Sequence, residues 1–562
     1  MPNHTKRMIQ IQRLFVSAIL LACSLLAQPF PAQAGLYADH SVYEFLNRAW
    51  LYGATEQPPP TVRPESLPVL IERLRECSTN RDKLPASEQA ELDELLSEIA
   101  VYGQDESLVP DRTRWDNVIP SGSPLFKHGA HLYGMRRDEL SFTVDPIIAW
   151  HGIYDEDYND EPLLRSVIGV DVQMALGTSW TAGVRFTDTA EYNQNKARGA
   201  YSPTPGYVAS VSPAGASSSF DETLAYLEYH SEFVDAGFGR DRLERGPSLD
   251  RGLIVSGEAP AYLYLQLRAR VKPWLVFDYF HARLDPSPVE DEVYYVSPSG
   301  KQRKVVNQKW FAAHRIEVNP KPWLQLGLSE TVIYAERDPE IGYMIPLNIY
   351  WSENHHQDRD DNVAWGVDLR VQPLRGWAFY FEGLLDETSM SGLFSNKLHN
   401  RTAFALGMDV IEPLGLRGSM LQLHLTRLRP YVYSHWFAVS VYAHNGTALG
   451  SPIPPNSDAL TLSFSQKFGG TWKVTAMGQR LRHGESIPGE DPVGGNIYEL
   501  VPVRARDTSY PLLAGDEATA WRGEVAVEWE PLENLVLQTR AGLTRVDNET
   551  LALFLAGFTY NL

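Results

Sequence analysis

The segment LALFLAGFTYNL, residues 551–562, alternates in steps of two and decides the fold class. One face of such a strand would carry Ala552, Phe554, Ala556, Phe558, Tyr560 and Leu562. An apolar and aromatic face of this kind makes a hazardous edge in a soluble protein. In an outer-membrane barrel the same strand faces lipid and closes the ring by pairing with the first strand. A buried C-terminal strand of a soluble protein is the alternative that this stretch leaves open.

The amino-terminal residues have the pattern of a secretory signal. Residues 6–13 include three basic side chains, residues 14–26 are apolar, and Ala32-Gln33-Ala34 is a small-x-small cleavage site. The run Leu20-Leu21-Ala22-Cys23 is a competing lipobox, which would make Cys23 a lipidated terminus. We expect a signal peptide over 1–34 and export by either route. The alternating ending at Leu562 resembles the signal read by the barrel assembly machinery, which we therefore expect as a partner.

Composition narrows the class of protein further. No later segment approaches the roughly 18 to 20 apolar residues that a membrane helix needs, yet 11% of the residues are aromatic. The 50 basic and 70 acidic residues give a net charge of −20, which argues against nucleic acid as a partner. They suggest divalent cations, or an uncharged or cation-bridged glycan, instead. After signal removal Cys77 is the only thiol, so we expect no disulfide framework, no metal centre and no cofactor.

Residues 35 to about 103 have a helical period. Val42, Phe45, Leu46 and Ala49 repeat at helical spacing, with Ser41 and Glu44 as a capping box. A second helix is predicted behind Ser66 and a third behind Ser87. We expect residues 35–127 to form a small helical periplasmic domain with its linker, followed by a barrel over residues 128–562.

From there the period is two, with an apolar face and a charged face on each strand. Eight short connections recur: 177–180, 235–237, 272–274, 320–323, 373–377, 413–416, 469–472 and 531–534. Longer connections such as 191–221, 335–361, 428–458 and 483–517 alternate with them. Short periplasmic turns and long outer loops are typical of outer-membrane barrels. Eight such turns predict a mainly β protein, an antiparallel transmembrane β-barrel of about 18 strands in the outer membrane.

The charged faces carry both signs, which is compatible with an open channel or with paired charges that fill the lumen. Catalysis is not indicated. The pairs Glu382/Asp386 and Glu524/Glu528 lie four residues apart on a strand, a separation of about 13 Å. Glycosidase carboxylates need about 5 to 9.5 Å, and no Gly-x-Ser-x-Gly motif is present. We therefore predict that the protein is not an enzyme.

The long loops combine aromatic rings with planar polar side chains. Rings stack on the C–H faces of sugars, and polar groups bond to sugar hydroxyls. The predicted ligand-binding residues are Tyr343, Asn348, Tyr350, Trp351, Tyr431, Tyr433 and Trp436. About half of the aromatic residues are instead expected in the outer girdle. His355, His356 and the nearby aspartates are metal-ligand types, but without a defined ligand spacing a solvated polar loop is the preferred interpretation.

Five stretches carry a family resemblance. Gly237-Phe-Gly-Arg240-Asp-Arg242-Leu-Glu-Arg245-Gly246-Pro247, followed by Gly252-Leu-Ile-Val-Ser256-Gly257-Glu-Ala259-Pro260, resembles the central signature of the Wzi capsule-assembly family. His314-Arg315-Ile-Glu317, Gly327-Leu-Ser-Glu330 and Pro346-Leu-Asn348 resemble later parts of the same family. The signature residues expected in the lumen are Arg240, Arg242, Arg245, Gly246, Pro247, Arg251, His314, Arg315 and Glu330.

The resemblance implies an outer-membrane barrel with a periplasmic helical bundle that holds capsular polysaccharide to the cell. It implies no catalytic residues. The expected partners are capsular or other extracellular polysaccharide and outer-membrane lipid. A diffusion channel for sugars or small solutes is the alternative, and an outer-membrane enzyme is the least favoured. Neither oligomeric state nor the identity of the polysaccharide follows from the sequence.

Overall fold

Strand pairing runs around the whole β-rich part of the chain, because each strand bonds to the next and the last returns to the first. In the computed structural model, eighteen antiparallel strands form this closed barrel, as the sequence predicted. They are Leu140–Asp155 (β1), Leu163–Leu176 (β2), Trp180–Tyr192 (β3), Ser217–His230 (β4), Val234–Asp241 (β5), Tyr262–Lys272 (β6), Leu275–Leu284 (β7), Lys309–Lys321 (β8), Leu324–Ala335 (β9), Asn362–Leu374 (β10), Trp377–Asp386 (β11), Arg401–Ile411 (β12), Ser419–Leu428 (β13), Ser457–Phe468 (β14), Trp472–Glu485 (β15), Asp516–Leu532 (β16), Leu535–Val546 (β17) and Glu549–Asn561 (β18).

The structure describes residues 37–99, 102, 131–159, 161–194, 198–204, 207–212, 217–248, 251–285, 294–304, 308–386, 395–398, 400–502, 508–547 and 549–561. The predicted signal peptide and most of the predicted linker lie outside these residues. So does Leu562.

The contact between β18 and β1 closes the barrel. It runs from Leu553 opposite Asp155 to Asn561 opposite Ile147, with Phe558 opposite Trp150. The predicted role of the C-terminal segment as the closing strand is confirmed. The strand Tyr133–Arg137 pairs with residues 140–144 of β1, which precede the residues that pair with β18.

The two ends of the barrel differ in the length of their connections. At one end short turns join β2–β3, β4–β5, β6–β7, β8–β9, β10–β11, β12–β13, β14–β15 and β16–β17, and seven of the eight lie where the sequence predicted them. The prediction of a turn at 235–237 is wrong: these residues lie inside β5, and the turn that precedes β5 is at 231–233. At this short-turn end a ring of tryptophans is exposed: Trp180, Trp274, Trp323, Trp377, Trp472 and Trp529. Such a ring is the aromatic girdle of a membrane barrel. The long connections lie at the opposite end, which we call the outer end.

The pairing of β8 with β9 shows how each strand divides its two faces. Ile316 lies opposite Leu328, and both side chains are exposed on the outside. Arg315 lies opposite Ser329, and both are buried on the inside. Residues in direct register share a face, so this alternation assigns every other residue of the two strands.

Among the described residues that precede the barrel are three α-helices: α1 Val42–Leu51, α2 Leu67–Thr79 and α3 Ala86–Ile99. They confirm the three predicted helices, and their apolar faces form one buried core that includes Phe45, Leu70 and Leu92. Among the described residues no helix has both the length and the apolar character to cross a membrane.

The predicted capping box at the start of α1 is wrong. Ser41 makes no side-chain hydrogen bond, because its backbone is already in the helical region. Glu44 lies near Arg48 and Lys473 instead of bonding back to Ser41. Ser87 lies inside α3, which begins at Ala86.

The helices pack on the short-turn end of the barrel. The backbone N–H of Gly376 donates to Leu51 O at 3.0 Å. The indole N–H of Trp50 donates to Pro322 O at 2.9 Å. The Tyr52 hydroxyl bonds to Glu412 at 3.3 Å. These contacts cover three different turns, so the helices cover one end of the lumen.

A buried charge cluster adds to this contact. The Arg48 guanidinium donates to Glu88 at 3.1 Å and to Glu91 at 2.6 Å, and Lys467 from the β14–β15 hairpin lies against both carboxylates. Burial alone would raise the pKa of Glu91, but Arg48 and Lys467 hold that pKa below its usual range. Glu91 therefore stays ionised at neutral pH.

We expect Arg48→Ala to destabilise the helical region by about 2–4 kcal/mol, because two buried carboxylates would share one remaining cation. Arg81→Ala is the matched control. The side chains of the Arg81–Asp93 pair are 39% and 43% exposed, so its loss should cost about 1 kcal/mol or less. Pulse proteolysis across a urea series measures both. Equal effects would contradict a buried cluster.

Candidate functional site

The connection between β5 and β6, residues 242–261, enters the lumen of the barrel. Its short strand Glu244–Arg245 pairs with Val255–Ser256 on one side and with Val62–Arg63 on the other. The chain between α1 and α2 therefore also reaches into the lumen. We call residues 242–261 the lumenal segment.

The lumenal segment is held by its backbone from two directions. Glu382 on the inner face of β11 accepts the N–H of Leu253 at 2.9 Å and of Ile254 at 3.3 Å. From the outer end, the Tyr433 hydroxyl donates to Leu253 O at 2.6 Å and the Tyr442 hydroxyl to Ile254 O at 2.8 Å. Buried backbone groups need such partners, so these bonds fix the segment in place.

The charges of both signs on the inner face pair with one another. Arg245 lies 2.6 Å from Asp278, and Arg315 donates to Asp368 at 2.9 Å. Arg63 pairs with Glu244 across the short lumenal sheet. Of the two alternatives left by the sequence, the described lumen matches the one in which paired charges and chain fill the interior.

Part of the lumen remains as a cavity of about 420 Å³ between the lumenal segment and strands β12–β17. Neutral hydroxyl and amide groups line its middle: Gln422, Thr426, Thr461, Ser463, Ser465, Thr475 and Gln479. Arg251, Arg522 and Glu524 add charge. Residues of α1 and α3 line one end of the cavity, and Ser451–Ile453 line the other.

Several residues of the family signature lie in or against the lumenal segment. Arg245 and Arg315 form the ion pairs described above, and Arg242 pairs with Glu222 at 2.5 Å. Gly246 has a φ of +137°, and a Cβ atom there would lie 3.1 Å from the Glu382 carboxylate. Pro247 O accepts a hydrogen bond from Arg370. Arg251 lines the cavity.

Three signature residues face the outside of the barrel, and their placement in the lumen was wrong. Arg240 alternates with the buried Asp241 and is exposed. His314 and Glu330 lie opposite one another, on the same face as Ile316 and Leu328. The family resemblance did not indicate whether these three residues face the lumen or the outside of the barrel.

The connection between β9 and β10 folds back along this outer face. Its two short helices, α4 Ile341–Met344 and α5 Tyr350–Gln357, pack over the outward residues of β8 and β9. Glu330 accepts the backbone N–H of Tyr350 at 3.0 Å and of Trp351 at 2.8 Å. His314 lies 3.2 Å from the same carboxylate. We call residues 337–361 the flap.

Four predicted ligand-binding tyrosines are buried. Tyr343 and Tyr350 pack against Tyr334 and Val332 beneath the flap. Tyr431 and Tyr433 pack within the outer loops. In this conformation none of the four rings presents a face for a sugar, because each serves to hold its loop in place. Sugar contact by Asn348, Trp351 and Trp436 stays a prediction.

Other loop residues are held by contacts within the chain. Asn348 donates to Gly342 O and to Glu353. In the loop considered for a cation, Asp361 pairs with Arg337 and accepts from the Tyr343 hydroxyl. The carboxylate of Asp386 accepts the Tyr433 N–H at 2.8 Å.

At the outer end, Trp436 and Phe437 form a patch with exposed polar neighbours. Phe437 is exposed and Trp436 half-buried, and Trp436 packs against the buried core of Leu398, Tyr431 and Val501. Arg429 bridges two further loops by donating to Asn396 at 3.1 Å and to Tyr510 O at 3.3 Å. We call Asn396, Lys397, Arg429, Trp436, Phe437 and Tyr510 the outer-rim patch.

The outer-rim patch combines aromatic rings with planar polar groups, as predicted for a sugar-binding surface, but on partly different residues. Of its members only Trp436 had been predicted. Phe437 follows Trp436 directly in the sequence, so the signal was present. Asn396 and Tyr510 come from two other loops that the fold brings to the same place, and no local pattern connects them.

A family model described as capsule assembly protein Wzi matches residues 154–553 of this chain. The chain is also similar to the solved structure of Wzi from Escherichia coli, an outer-membrane protein involved in group 1 capsule assembly and described as a carbohydrate-binding β-barrel. The TM-score is 0.56 at 12% identity, over 94% of this chain and 99% of that chain. At this identity the likeness concerns the fold.

Two further solved structures match with lower scores. OccAB4 from Acinetobacter baumannii covers 76% of this chain and 98% of its own, with a TM-score of 0.41 and 10% identity. OpdK from Pseudomonas aeruginosa, solved with vanillate, covers 75% and 98%, with a TM-score of 0.42 and 10% identity. The comparison with curated proteins finds no match.

We expect Arg245→Ala to destabilise the barrel by about 3 kcal/mol or more, because the buried Asp278 would lose its closest cation. Arg482→Ala is the control, since the Arg482–Asp458 pair is more exposed and its loss should cost about 1 kcal/mol or less. Urea unfolding of vesicle-embedded protein, followed by heat-modifiable migration, measures the difference. Normal stability of Arg245→Ala would show that the pair is not needed.

We expect the purified protein to give no large steady conductance in planar bilayers. The lumenal segment crosses the interior and the helices cover one end. Replacing residues 246–254 by a Gly-Ser linker should produce steady channels, provided that the variant keeps its heat-modifiable migration. A large conductance of the unaltered protein would contradict a filled lumen.

Proposed function

The chain belongs to the capsule assembly protein Wzi family, and we propose that it binds capsular or other extracellular polysaccharide and retains it at the outer surface of a bacterial outer membrane. The matched segment spans most of the barrel, from β1 to β18. A similar barrel is described as carbohydrate-binding. The family membership is the observation that carries the proposal.

The outer-rim patch is where we propose that polysaccharide makes contact. Aromatic rings and planar polar groups lie together there on the outer end. Ring faces stack on sugar C–H groups, and amide and guanidinium groups bond to sugar hydroxyls. Individual contacts of this kind are weak. A polymer engages many copies of the protein at once, so avidity multiplies them.

The arrangement in the envelope follows from the two ends of the barrel. We propose that the short-turn end and helices α1–α3 face the periplasm, after removal of a signal peptide over residues 1–34, and that residues 35–127 form the helical domain and linker. Short turns on the periplasmic side are the rule for these barrels. The barrel assembly machinery would insert residues 128–562 into the membrane.

We propose that the protein binds polysaccharide without transforming it chemically. Glu382 and Asp386, one of the two carboxylate pairs considered for catalysis, accept backbone N–H groups of the lumenal segment and of an outer loop. Such bonds give them a structural task. The channel alternative requires an open lumen, and the lumenal segment opposes it.

Cells that lack the protein should make and export polysaccharide but retain less of it. The measurement compares cell-bound with shed polysaccharide in a deletion strain and in a complemented strain. Unchanged retention would contradict the proposed function.

We expect Phe437→Ala and Trp436→Ala to lower retention severalfold without loss of folded barrel. Phe468→Ala is the matched control: Phe468 is 55% exposed and Phe437 53% exposed, but Phe468 lies at the short-turn end. Retention is measured alongside heat-modifiable migration. If both Phe variants retain polysaccharide normally, the contact surface lies elsewhere.

A further inference from the structure

The flap hides polar groups and exposes apolar ones. Its inner side covers His314 and Glu330 on the barrel wall. Its outer side exposes Ile341, Met344, Ile345, Leu347, Ile349 and Trp351. Leu347 is 78% exposed, among the highest values for any large apolar side chain in the described chain. A soluble surface rarely collects so many apolar groups in eleven residues.

The height of the flap on the barrel follows from the aromatic side chains that mark the membrane boundaries. On β16 the exposed Trp529 and Trp521 face outward eight residues apart. On β9, Glu330 lies six residues from Leu324, which follows the girdle residue Trp323 at the short-turn end. Glu330 thus lies closer to the short-turn girdle than Trp521 does on β16. Its height on the barrel is therefore between the two membrane boundaries that Trp529 and Trp521 mark. The start of α5, which is bonded to Glu330, lies at the same height.

Several backbone polar groups of the flap are satisfied within the protein. Tyr343 and Met344 donate to Glu340 O, and Asn348 donates to Ile345 O through its backbone. The Asn348 side chain bonds to Gly342 O. Glu330 accepts the first two N–H groups of α5, which a helix cannot satisfy internally. Backbone groups at membrane depth need partners within the protein, and the bonds to Glu330 supply them at the point where α5 begins.

The end of α5 has the opposite character. His355, His356, Asp358 and Arg359 are exposed there. The next strand, β10, begins at Asn362, which is three positions closer to the outer end than Trp365, the residue opposite Glu330. The flap thus changes from apolar to polar in the direction of the outer end. That order matches the change from acyl chains to head groups.

We propose that the flap is a membrane-seated element whose apolar side binds the acyl chains of the outer leaflet, while the end of α5 lies among the head groups. The continuity of this apolar side with the exposed Ile316, Leu328 and Val367 of the wall identifies lipid as the occupant. Glu330 acts as the latch, because its carboxylate joins the wall to α5. The flap widens the lipid contact of the barrel on one side.

Single cysteines test the proposal in the full chain. Cys77 is buried and is replaced by Ser to give a clean background. Leu347→Cys is compared with Glu490→Cys, an exposed position on an outer loop. Intact cells are treated with a membrane-impermeant maleimide, and heat-modifiable migration verifies folding. We expect labelling of Leu347→Cys to be at least tenfold lower than that of Glu490→Cys, and to recover after detergent solubilisation and denaturation.

A second measurement identifies what covers the flap. Leu347→Cys carrying a bimane fluorophore is reconstituted in vesicles with brominated acyl chains, where lipid contact should quench the fluorescence strongly. Ready labelling in cells would overturn the proposal, because the flap would then be in water. Protection in cells without bromine quenching, together with bis-maleimide cross-linking to a second copy, would also overturn it and identify a protein interface. Glu330→Gln should increase labelling of Leu347→Cys severalfold if the carboxylate is the latch.

Discussion

Every backbone N–H and C=O group inside a membrane must find a partner within the protein, and this requirement determines the rest of the structure. An open sheet would leave two unpaired edges in lipid, at a cost of several kcal/mol per unsatisfied group. The pairing of β18 with β1 removes both edges. The even number of strands follows, because short and long connections alternate and the ends of the barrel remain distinct. The same rule applies to the flap, whose helix start is bonded to Glu330.

Closing the barrel places polar and charged side chains in its interior, where each charge needs a partner. Here two parts of the chain enter that interior beside the remaining cavity. The lumenal segment and the N-terminal strand Val62–Arg63 bring their own charges, and Arg245 and Arg63 find Asp278 and Glu244 as partners. Leaving any one of these charges alone would be costly, whereas the pairs together specify one arrangement. The paired charges thus specify how the lumenal segment and the strand Val62–Arg63 pack inside the barrel.

Periodicity predicted the barrel because the period of a strand is a local property. The alternation in residues 551–562 and seven of the eight predicted turns located strands, and the eight turns together gave the strand number. The same method failed where the direction of a loop mattered. Tyr343 and Tyr350 look like exposed loop aromatics, but the chain folds them down onto β8 and β9, where they are buried. Glu330 is charged, and a charge on a barrel strand normally indicates the lumen. Only the register opposite His314 shows that it faces outward. The outer-rim patch joins three loops, and such proximity is decided by tertiary structure.

The short strand Val62–Arg63 lies inside a ring that is built entirely from later parts of the chain. β1–β18 surround this segment, which precedes all of them in the chain. Once β18 has paired with β1, withdrawing that segment requires breaking the lumenal sheet and its ion pairs within a closed wall. The finished molecule is therefore held by a kinetic barrier as well as by its equilibrium stability. The connection between α1 and α2 thus anchors the helices inside the barrel, in addition to their contacts with the turns at the short-turn end.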